Sequence, residues 1–383
     1  MILNLLLLFM VLVINSIFII RTILYKTYTF PKLIKSTKNT AKFKVNIFVP
    51  CKGWHGKLKY CLESIANQEY SNYRTIFITE DGKDEAVKEI KKIVKRFSNC
   101  SHIIAGRAVK CCQKNFNLLK GIEKYRNADI LVFCDSDVIV EKKWLKKMVR
   151  PFKNRKIVVT TSFDSSVENN DDFLSIFKKI LDSYLLFFVV GVGAIWGGSF
   201  AVRQKEFFKS KIDKYWQNTC VDDITATKIL FKNKKRAFYV PTVLKHIRDN
   251  NSFRDAFSWW VRQVMYSKYY LKGLWILAII NYAIISLYLL LLPILLIASF
   301  INSSFITYAI LSAVMLVFVE IYYIIALLIK KERITPNTIA FIPLTVIIGF
   351  YSLFLTIFKS TIGWGDKRYR LDSQGRVKSI KFK

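Results

Sequence analysis

The 383-residue sequence has few acidic residues, few cysteines and two long stretches almost without charge. Its 27 Asp and Glu stand against 60 Lys and Arg, which gives a net charge of +33. The seven cysteines show no zinc-ligand spacing, and we interpret them as reduced thiols of a domain that faces the cytosol. Residues 274–329 carry one charged side chain, Glu320, and residues 338–358 carry none.

These apolar stretches, together with residues 2–20, predict an integral membrane protein, because a bilayer span needs about 20 apolar residues. The first stretch lacks a basic segment before it and a small-residue cleavage site after it, which indicates a retained signal anchor. We predict six parts: an anchor (1–24), a basic linker (25–44), an α/β domain (45–250), an amphipathic interfacial helix (251–273), transmembrane helices (274–358) and a basic C-terminal tail (359–383).

The basic residues also predict topology and partners. The positive-inside rule places residues 21–44, and with them the α/β domain, in the cytosol. A basic face beside a bilayer favours anionic lipid headgroups and an anionic nucleotide substrate over nucleic acid. We expect a multi-pass protein of a prokaryotic plasma membrane or an internal membrane.

The tail presents a conflict. It carries eight Lys and Arg against two Asp, which favours the cytosol, whereas a simple crossing by residues 338–358 would place it outside. Pro343 and Gly349 allow a bent or re-entrant segment, and we expect a cytosolic tail.

Strand and helix patterns alternate through the α/β domain. Apolar runs at 45–49, 73–79, 101–104 and 130–133 predict strands, and amphipathic stretches between them predict helices. This alternation predicts a doubly wound, mostly parallel sheet. Residues 157–162 and 237–240 predict further strands, and residues 173–190 predict a buried helix, with contact to the membrane surface as the alternative.

Acidic residues recur at equivalent points of this pattern. Asp81 and the Asp135-Ser136-Asp137 motif follow strands, and Asp222-Asp223 begins a helix. Each alone is equally typical of a solvated turn or a helix cap. Together they converge on one crevice of a doubly wound sheet. Sugar transfer from a nucleotide donor needs such carboxylates, for the nucleoside, for a metal on the diphosphate and as general base.

The ordered set of motifs resembles membrane-bound family 2 glycosyltransferases with a GT-A fold, most of all the ceramide glucosyltransferase group. The segments that carry the resemblance are 45–53, 61–70, 113–118, 135–137, 197–203 and 364–370. The resemblance implies that the nucleotide donor contacts Pro50, Lys52, Asp81, Lys114 and Asp135. It further implies that Asp135 and Asp137 hold Mn²⁺ or Mg²⁺ and that Asp223 is the general base.

The acceptor side is implied by the same resemblance, with Trp196, Gly198, Ser199 and Asp222 lining it. The family's Gln/Arg-x-x-Arg-Trp motif corresponds to residues 259–263. Arg262 matches, whereas Trp259 replaces the leading residue and Gln263 the final Trp, so Trp259 or Trp260 is expected to supply the aromatic contact. His246 is a further candidate metal ligand, although a structural role is the commoner one for such a histidine.

The resemblance implies an inverting transfer of a hexose, with glucose expected, from a UDP-sugar to a lipid hydroxyl at the cytosolic membrane face. One alternative is a processive polysaccharide synthase, which needs a pore that about four hydrophobic segments barely line. Another is a non-catalytic basic membrane protein, which leaves the three acidic sites unexplained.

Overall fold

A computed structural model describes residues 2–36, 42–165, 170–247 and 252–382. Part of the predicted linker (37–41) and the predicted limit between α/β domain and interfacial helix (248–251) lie outside these residues. The described chain forms two compact units. The α/β unit comprises residues 26–36, 42–165, 192–247 and 361–382, and the helical unit comprises residues 2–25, 170–191 and 252–360.

Twelve strands are present in the described residues. They are β1 (Val45–Pro50), β2 (Tyr73–Thr79), β3 (Cys100–Ile104), β4 (Ile130–Cys134), β5 (Val138–Val140), β6 (Val159–Thr161), β7 (Ser199–Arg203), β8 (Phe238–Tyr239), β9 (Leu244–His246), β10 (Thr361–Trp364), β11 (Lys367–Leu371) and β12 (Val377–Phe382).

The described residues also form fourteen α-helices. They are α1 (Ile2–Leu24), α2 (Phe30–Ser36), α3 (Leu58–Ala66), α4 (Ala86–Arg96), α5 (Gln113–Lys124), α6 (Trp144–Val149), α7 (Phe173–Phe187), α8 (Gln204–Lys209), α9 (Ile212–Trp216), α10 (Asp223–Lys232), α11 (Phe253–Tyr270), α12 (Lys272–Ile301), α13 (Ile306–Lys330) and α14 (Pro336–Phe358).

The central sheet of the α/β unit has the strand order β3-β2-β1-β4-β7-β6-β8. Strands β1 to β4 are parallel, and β7 is antiparallel to both of its neighbours. The predicted α/β fold with a mostly parallel sheet is therefore confirmed. Strand β7 was not predicted, because Gly197-Gly198 is typical of a loop. In the structure, Phe200 to Val202 are buried and pair with β4.

The sheet is buried on both faces because its inner strands are continuous apolar runs. Ile47 and Val49 of β1 point into the core beneath α3 and α6, and Phe48 points into the opposite core with Phe133. Period-two alternation thus sends neighbouring residues of one strand into different cores. This packing fixes the carboxyl ends of β1 and β4.

Two small antiparallel sheets complete the α/β unit, and neither was predicted. Strand β5 pairs with β9, so that Val138 lies opposite His246. Strands β10, β11 and β12 form a three-stranded sheet from the predicted tail. We call it the C-terminal sheet.

The helical unit contains most of the apolar sequence. Within the described residues, four helices are long and apolar enough to cross a membrane: Ile2–Lys35, Lys272–Ile301, Ser303–Lys330 and Pro336–Phe358. Helix α7 also belongs to this unit, since Phe173 packs on Phe341 with ring centroids 5.1 Å apart. The predicted buried helix at 173–190 therefore forms, but the compact unit it joins is the helical one. The predicted domain boundaries remain predictions.

Candidate active site

Two of the carboxylates predicted for the site, Asp135 and Asp222, pair with one ammonium group. Lys114 follows the first residue of α5, and its Nζ lies 2.7 Å from Asp135 Oδ1 and 3.1 Å from Asp222 Oδ2. Asp135 follows β4 directly, and Asp222 precedes α10. One half-buried cation thus joins the carboxyl end of β4 to the start of α10.

Asp223 approaches the same place from the first turn of α10. Its Oδ2 accepts a 2.7 Å hydrogen bond from the N–H of Gly197, and its Oδ1 accepts one from the N–H of Ile224. The loop of Gly197 and Gly198 also reaches β4, because the N–H of Asp135 donates to the carbonyl of Gly198 at 3.3 Å. This loop therefore sets the position of Asp223 relative to Asp135.

Both glycines of this loop are needed for close approach. A Cβ at Gly197 would lie 2.8 Å from Asp223 Oδ2, and a Cβ at Gly198 would lie 2.2 Å from the indole ring of Trp196. The N–H of Trp196 donates to the Thr161 hydroxyl at 3.0 Å, so the loop is also tied to β6. No side chain larger than hydrogen fits at either position without displacing its neighbour.

Gly198→Ala is expected to displace Trp196 and to abolish most activity, at a stability cost of about 1–3 kcal/mol for overpacking. The matched control is Gly56→Ala, where a Cβ would meet no atom within 4 Å. Turnover and thermal unfolding of both variants test this. Equal behaviour of the two variants would contradict the close packing of Trp196 on Gly198.

Asp137 and His246 form the part of the site that fits a divalent cation. His246 Nε2 lies 3.4 Å from Asp137 Oδ2, and Asp137 Oδ1 is buried without a hydrogen-bond partner among the described residues. No group of three or more His, Cys, Asp or Glu side chains with metal-ligand geometry occurs in the described part of the chain. An orphaned carboxylate oxygen beside an imidazole suits Mn²⁺ or Mg²⁺ only if other ligands come from substrate and water.

Burial and charge shift the ionisation of these groups. Burial and the nearby Asp222 raise the pKa of Asp223 to about 7, and burial raises the pKa of Asp135 to about 6 against the opposing charge of Lys114. Burial alone would raise the pKa of Asp137, but His246 and Lys114 outweigh it and lower that pKa. Burial lowers the pKa of Lys114, yet the surrounding carboxylates hold it well above its usual value.

Three predicted donor residues lie at the carboxyl ends of neighbouring strands. Pro50 ends β1, and Lys52 follows it with its ammonium paired to Asp366. Asp81 is exposed beyond β2, where its Oδ1 accepts a 2.7 Å hydrogen bond from the N–H of Lys83. Asp81 makes no contact with the Lys114 cluster in the hydrogen bonds and ion pairs of the described residues.

The remaining predicted residues have diverse surroundings. Ser199 is buried, and its hydroxyl accepts a 2.9 Å hydrogen bond from the indole N–H of Trp144. Trp259, Trp260 and Arg262 lie on α11 in the helical unit. Trp260 is buried there against Tyr184, with ring centroids 5.9 Å apart.

Sequence reasoning missed two residues that support the site. Thr161 anchors the Trp196 loop, and Gln113 anchors the start of α5 through several hydrogen bonds. Thr161 belongs to none of the segments that carry the resemblance, and Gln113 begins the 113–118 segment but had no role assigned to it. Only their tertiary partners distinguish them.

The sheet order, the paired aspartates after β4 and the acidic start of α10 define a GT-A type glycosyltransferase domain, here in a chain with long apolar helices. Residues 8–377 match the family described as Glycosyl transferase family 21, and the chain belongs to this family. This match refines the predicted family 2 relationship, and it identifies the protein as a glycosyltransferase. No curated protein matches the chain.

Solved structures of three glycosyltransferases are similar to the chain. Mannosyltransferase PcManGT from Pyrobaculum calidifontis, in complex with GDP-Man and Mn²⁺, is 13% identical, with 90% of this chain and 97% of that chain covered and a TM-score of 0.49. GalNAc-T7 with UDP, GalNAc and Mn²⁺ is 14% identical, with coverages of 61% and 50% and a TM-score of 0.42. Glucosyl-3-phosphoglycerate synthase from Mycobacterium tuberculosis, with Mn²⁺, UDP and glucosyl-3-phosphoglycerate, is 14% identical, with coverages of 58% and 77% and a TM-score of 0.36.

Proposed function

We propose that the protein is an inverting hexosyltransferase that moves one sugar, glucose by its resemblance to ceramide glucosyltransferases, from a UDP-sugar to a lipid hydroxyl. The observation that carries the proposal is the placement of Asp223 beside the Asp135, Asp222 and Lys114 cluster. A carboxylate of raised pKa next to a site for metal and diphosphate suits general-base catalysis.

Asp135 and Asp137 would hold a divalent cation, with His246 as a further ligand. When bound, such a cation neutralises the charge that develops on a departing diphosphate. Lys114 lies against Asp135 and adds a fixed positive charge at the same place. Lys52, at the end of β1, is proposed as a second cation for the donor phosphates.

Asp223 is the proposed base. Its carboxylate would take the proton of the acceptor hydroxyl as that oxygen attacks the anomeric carbon opposite the leaving diphosphate. One displacement of this kind inverts the anomeric configuration. The hydrogen bond from Gly197 holds one carboxylate oxygen in a fixed direction.

The pH dependence of kcat/KM should report this base. Because Asp223 is active only when ionised and its pKa is about 7, kcat/KM should rise about tenfold per pH unit below pH 7 and level off above it. Initial rates between pH 5.5 and 8.5 at saturating Mn²⁺ test this. A profile that is flat through pH 6–7 would remove Asp223 as the base.

A lipid acceptor is supported by the apolar helices and by the aromatic residues of α11. Trp259 and Arg262 are half-buried on a helix that carries both aromatic and basic side chains. Helices of this make-up bind at the headgroup level of a bilayer and favour anionic lipids. We propose that α11 binds the acceptor headgroup and that the α/β unit faces the cytosol.

The assignment of the C-terminal sheet to the α/β unit supports a proposal for the number of crossings. Residues 247 and 361 both belong to the α/β unit, and three candidate spans, α12 to α14, lie between them. A chain that leaves and rejoins one folded unit crosses the bilayer an even number of times. We therefore propose that at least one of the three helices does not cross.

We propose that α14 is this helix. Helices α12 and α13 form a hairpin in which the hydroxyls of Tyr282 and Tyr323 lie 2.8 Å apart. Helix α14 begins six residues after Lys330, at the end of this hairpin, and Thr356 in its last turn accepts a 3.0 Å hydrogen bond from Trp275, at the beginning of the same hairpin. This contact supports a placement of both ends of α14 on the cytosolic side.

Cysteine labelling tests this topology. Ser303→Cys, in the α12–α13 turn, should react with an impermeant maleimide applied outside intact cells. Ser373→Cys, in the C-terminal sheet, should react only after permeabilisation. The native cysteines are buried, so background labelling should be low. Labelling of Ser373→Cys from outside would contradict the proposal.

Product size separates this function from a processive polysaccharide synthase. Membranes containing the protein are incubated with Mn²⁺ and a panel of labelled nucleotide sugars, and the label is divided between lipid extract and insoluble polymer. A single sugar on a lipid supports the proposal. Polymer alone would favour the synthase.

A further inference from the structure

The C-terminal sheet carries a buried lysine that joins two segments of the site. Lys367 is 2% exposed, and its ammonium pairs with the carboxylate of Glu80 and lies 3.1 Å from Gln113 Oε1. Glu80 precedes Asp81, and Gln113 precedes Lys114. A buried ammonium is stable only when it is paired and hydrogen-bonded, so these contacts fix both segments relative to β11.

Tyr369, two residues further along β11, supplies a hydrogen-bond acceptor to the first residue of α5. It is fully buried, and its hydroxyl accepts a 3.3 Å hydrogen bond from the N–H of Gln113. Gln113 is the first residue of α5, where backbone N–H groups have no acceptor inside the helix. The Gln113 side chain is held as well, because its Nε2 donates to the carbonyl of Gly106 and to Asn117 Oδ1, each at 2.8 Å.

The same sheet also supports the segment before Asp222. The N–H of Val377 donates to the carbonyl of Asn218 at 2.8 Å, and Arg376 forms an isolated antiparallel bridge with Thr219. Thr219 in turn accepts a 3.1 Å hydrogen bond from the N–H of Cys112, which caps α5. The C-terminal sheet thus braces both chain segments whose charged side chains meet at Lys114.

We propose that Lys367 and Tyr369 are positioning residues for donor binding, because they hold the first turn of α5 and with it the Lys114 ammonium between Asp135 and Asp222. Neither residue touches the reacting atoms. The role rests on the proposed function, since it assumes that the Lys114 cluster binds the nucleotide diphosphate. The exposed ion pair of Lys52 and Asp366 also connects the C-terminal sheet to the end of β1. It stabilises this arrangement less, because exposed ion pairs contribute little to the free energy of folding.

The test uses the full chain, purified with Mn²⁺, and UDP as the probe. Lys367→Met is compared with Lys367→Arg and with a matched control, Lys235→Met. The control also removes an ammonium that is paired with a carboxylate, that of Glu206, but this pair lies away from α5. We expect Lys367→Met to raise the Kd for UDP and the donor KM about tenfold or more, with a smaller change in kcat, because a displaced charge weakens binding. Lys367→Arg should restore most of the affinity.

Thermal unfolding separates positioning from stability. If Lys367→Met and Lys235→Met lower Tm equally and change the UDP affinity equally, Lys367 is only structural and the inference is overturned. Should Lys367→Met fail to fold, Tyr369→Phe removes a single oxygen and is expected to weaken UDP binding about threefold at an unchanged Tm. Unchanged UDP binding by Tyr369→Phe would then overturn the inference.

The same measurements distinguish this inference from the proposed function. If the native protein transfers sugar to lipid and Lys367→Met binds UDP with native affinity, the inference is wrong and the proposed function stands. If the native protein binds UDP but transfers no sugar, and Lys367→Met binds UDP more weakly, the proposed function is wrong and the inference stands. A native protein that does not bind UDP in Mn²⁺ defeats both.

Discussion

Asp223→Asn is expected to lower kcat about 10²–10⁴-fold while UDP binding in Mn²⁺ stays near the native value, because general-base catalysis contributes factors of this size. The amide oxygen can still accept the hydrogen bond from Gly197 and hold the loop, whereas the amide nitrogen cannot accept the one from Ile224. The substitution removes the carboxylate that we propose takes the acceptor proton. The residual kcat/KM of the variant should also no longer increase with pH below pH 7.

The control for this variant is Asp213→Asn, which changes an aspartate in the first turn of α9 that makes no contact with the cluster in the described ion pairs. Its kcat and pH profile should be native. An Asp223→Asn variant with more than a tenth of the native kcat would show that another group takes the proton.

Asp137→Asn is expected to remove metal-dependent donor binding. The Lewis acidity of a bound cation is worth several kcal/mol in charge stabilisation, and about 1.4 kcal/mol corresponds to a factor of ten, so the rate should fall about 10²–10³-fold or more. The amide also ends the charge interaction with His246. UDP affinity as a function of Mn²⁺ concentration measures the effect.

The two substitutions serve as controls for each other. Asp223→Asn should keep Mn²⁺-dependent UDP binding and lose turnover, whereas Asp137→Asn should lose both. If Asp137→Asn binds UDP with the native Mn²⁺ dependence, the metal is held elsewhere or is not required.

Local sequence signals were sufficient for the parallel half of the sheet. The run Ile130 to Cys134 is apolar throughout, so a buried strand and the placement of Asp135 after it followed from residue type alone. The position of Asp222 and Asp223 at the start of a helix could likewise be predicted from the neighbouring residues alone. The resemblance already implied Lys114 as a donor contact, and the structure adds the pairing of its ammonium with both Asp135 and Asp222.

Other features depend on partners far along the chain. Strand β7 follows two glycines and joins the sheet only by pairing with β4 and β6. Lys367 reads as a solvated residue of a basic tail, and it is buried because Glu80 and Gln113, separated from it by 287 and 254 residues, provide its partners. Helix α7 is apolar enough for either unit, so only packing decides which one it joins.

We expect the protein to transfer a single hexose from a nucleotide donor to a lipid, with Asp223 as the base. The most direct measurement is the incorporation of label from UDP-[¹⁴C]glucose into the lipid extract of Mn²⁺-containing membranes with the native protein or Asp223→Asn. We expect one labelled lipid with the native protein and at least 10²-fold less with the variant. Equal labelling by both, or no labelled lipid with glucose or any other UDP-sugar, would contradict the account.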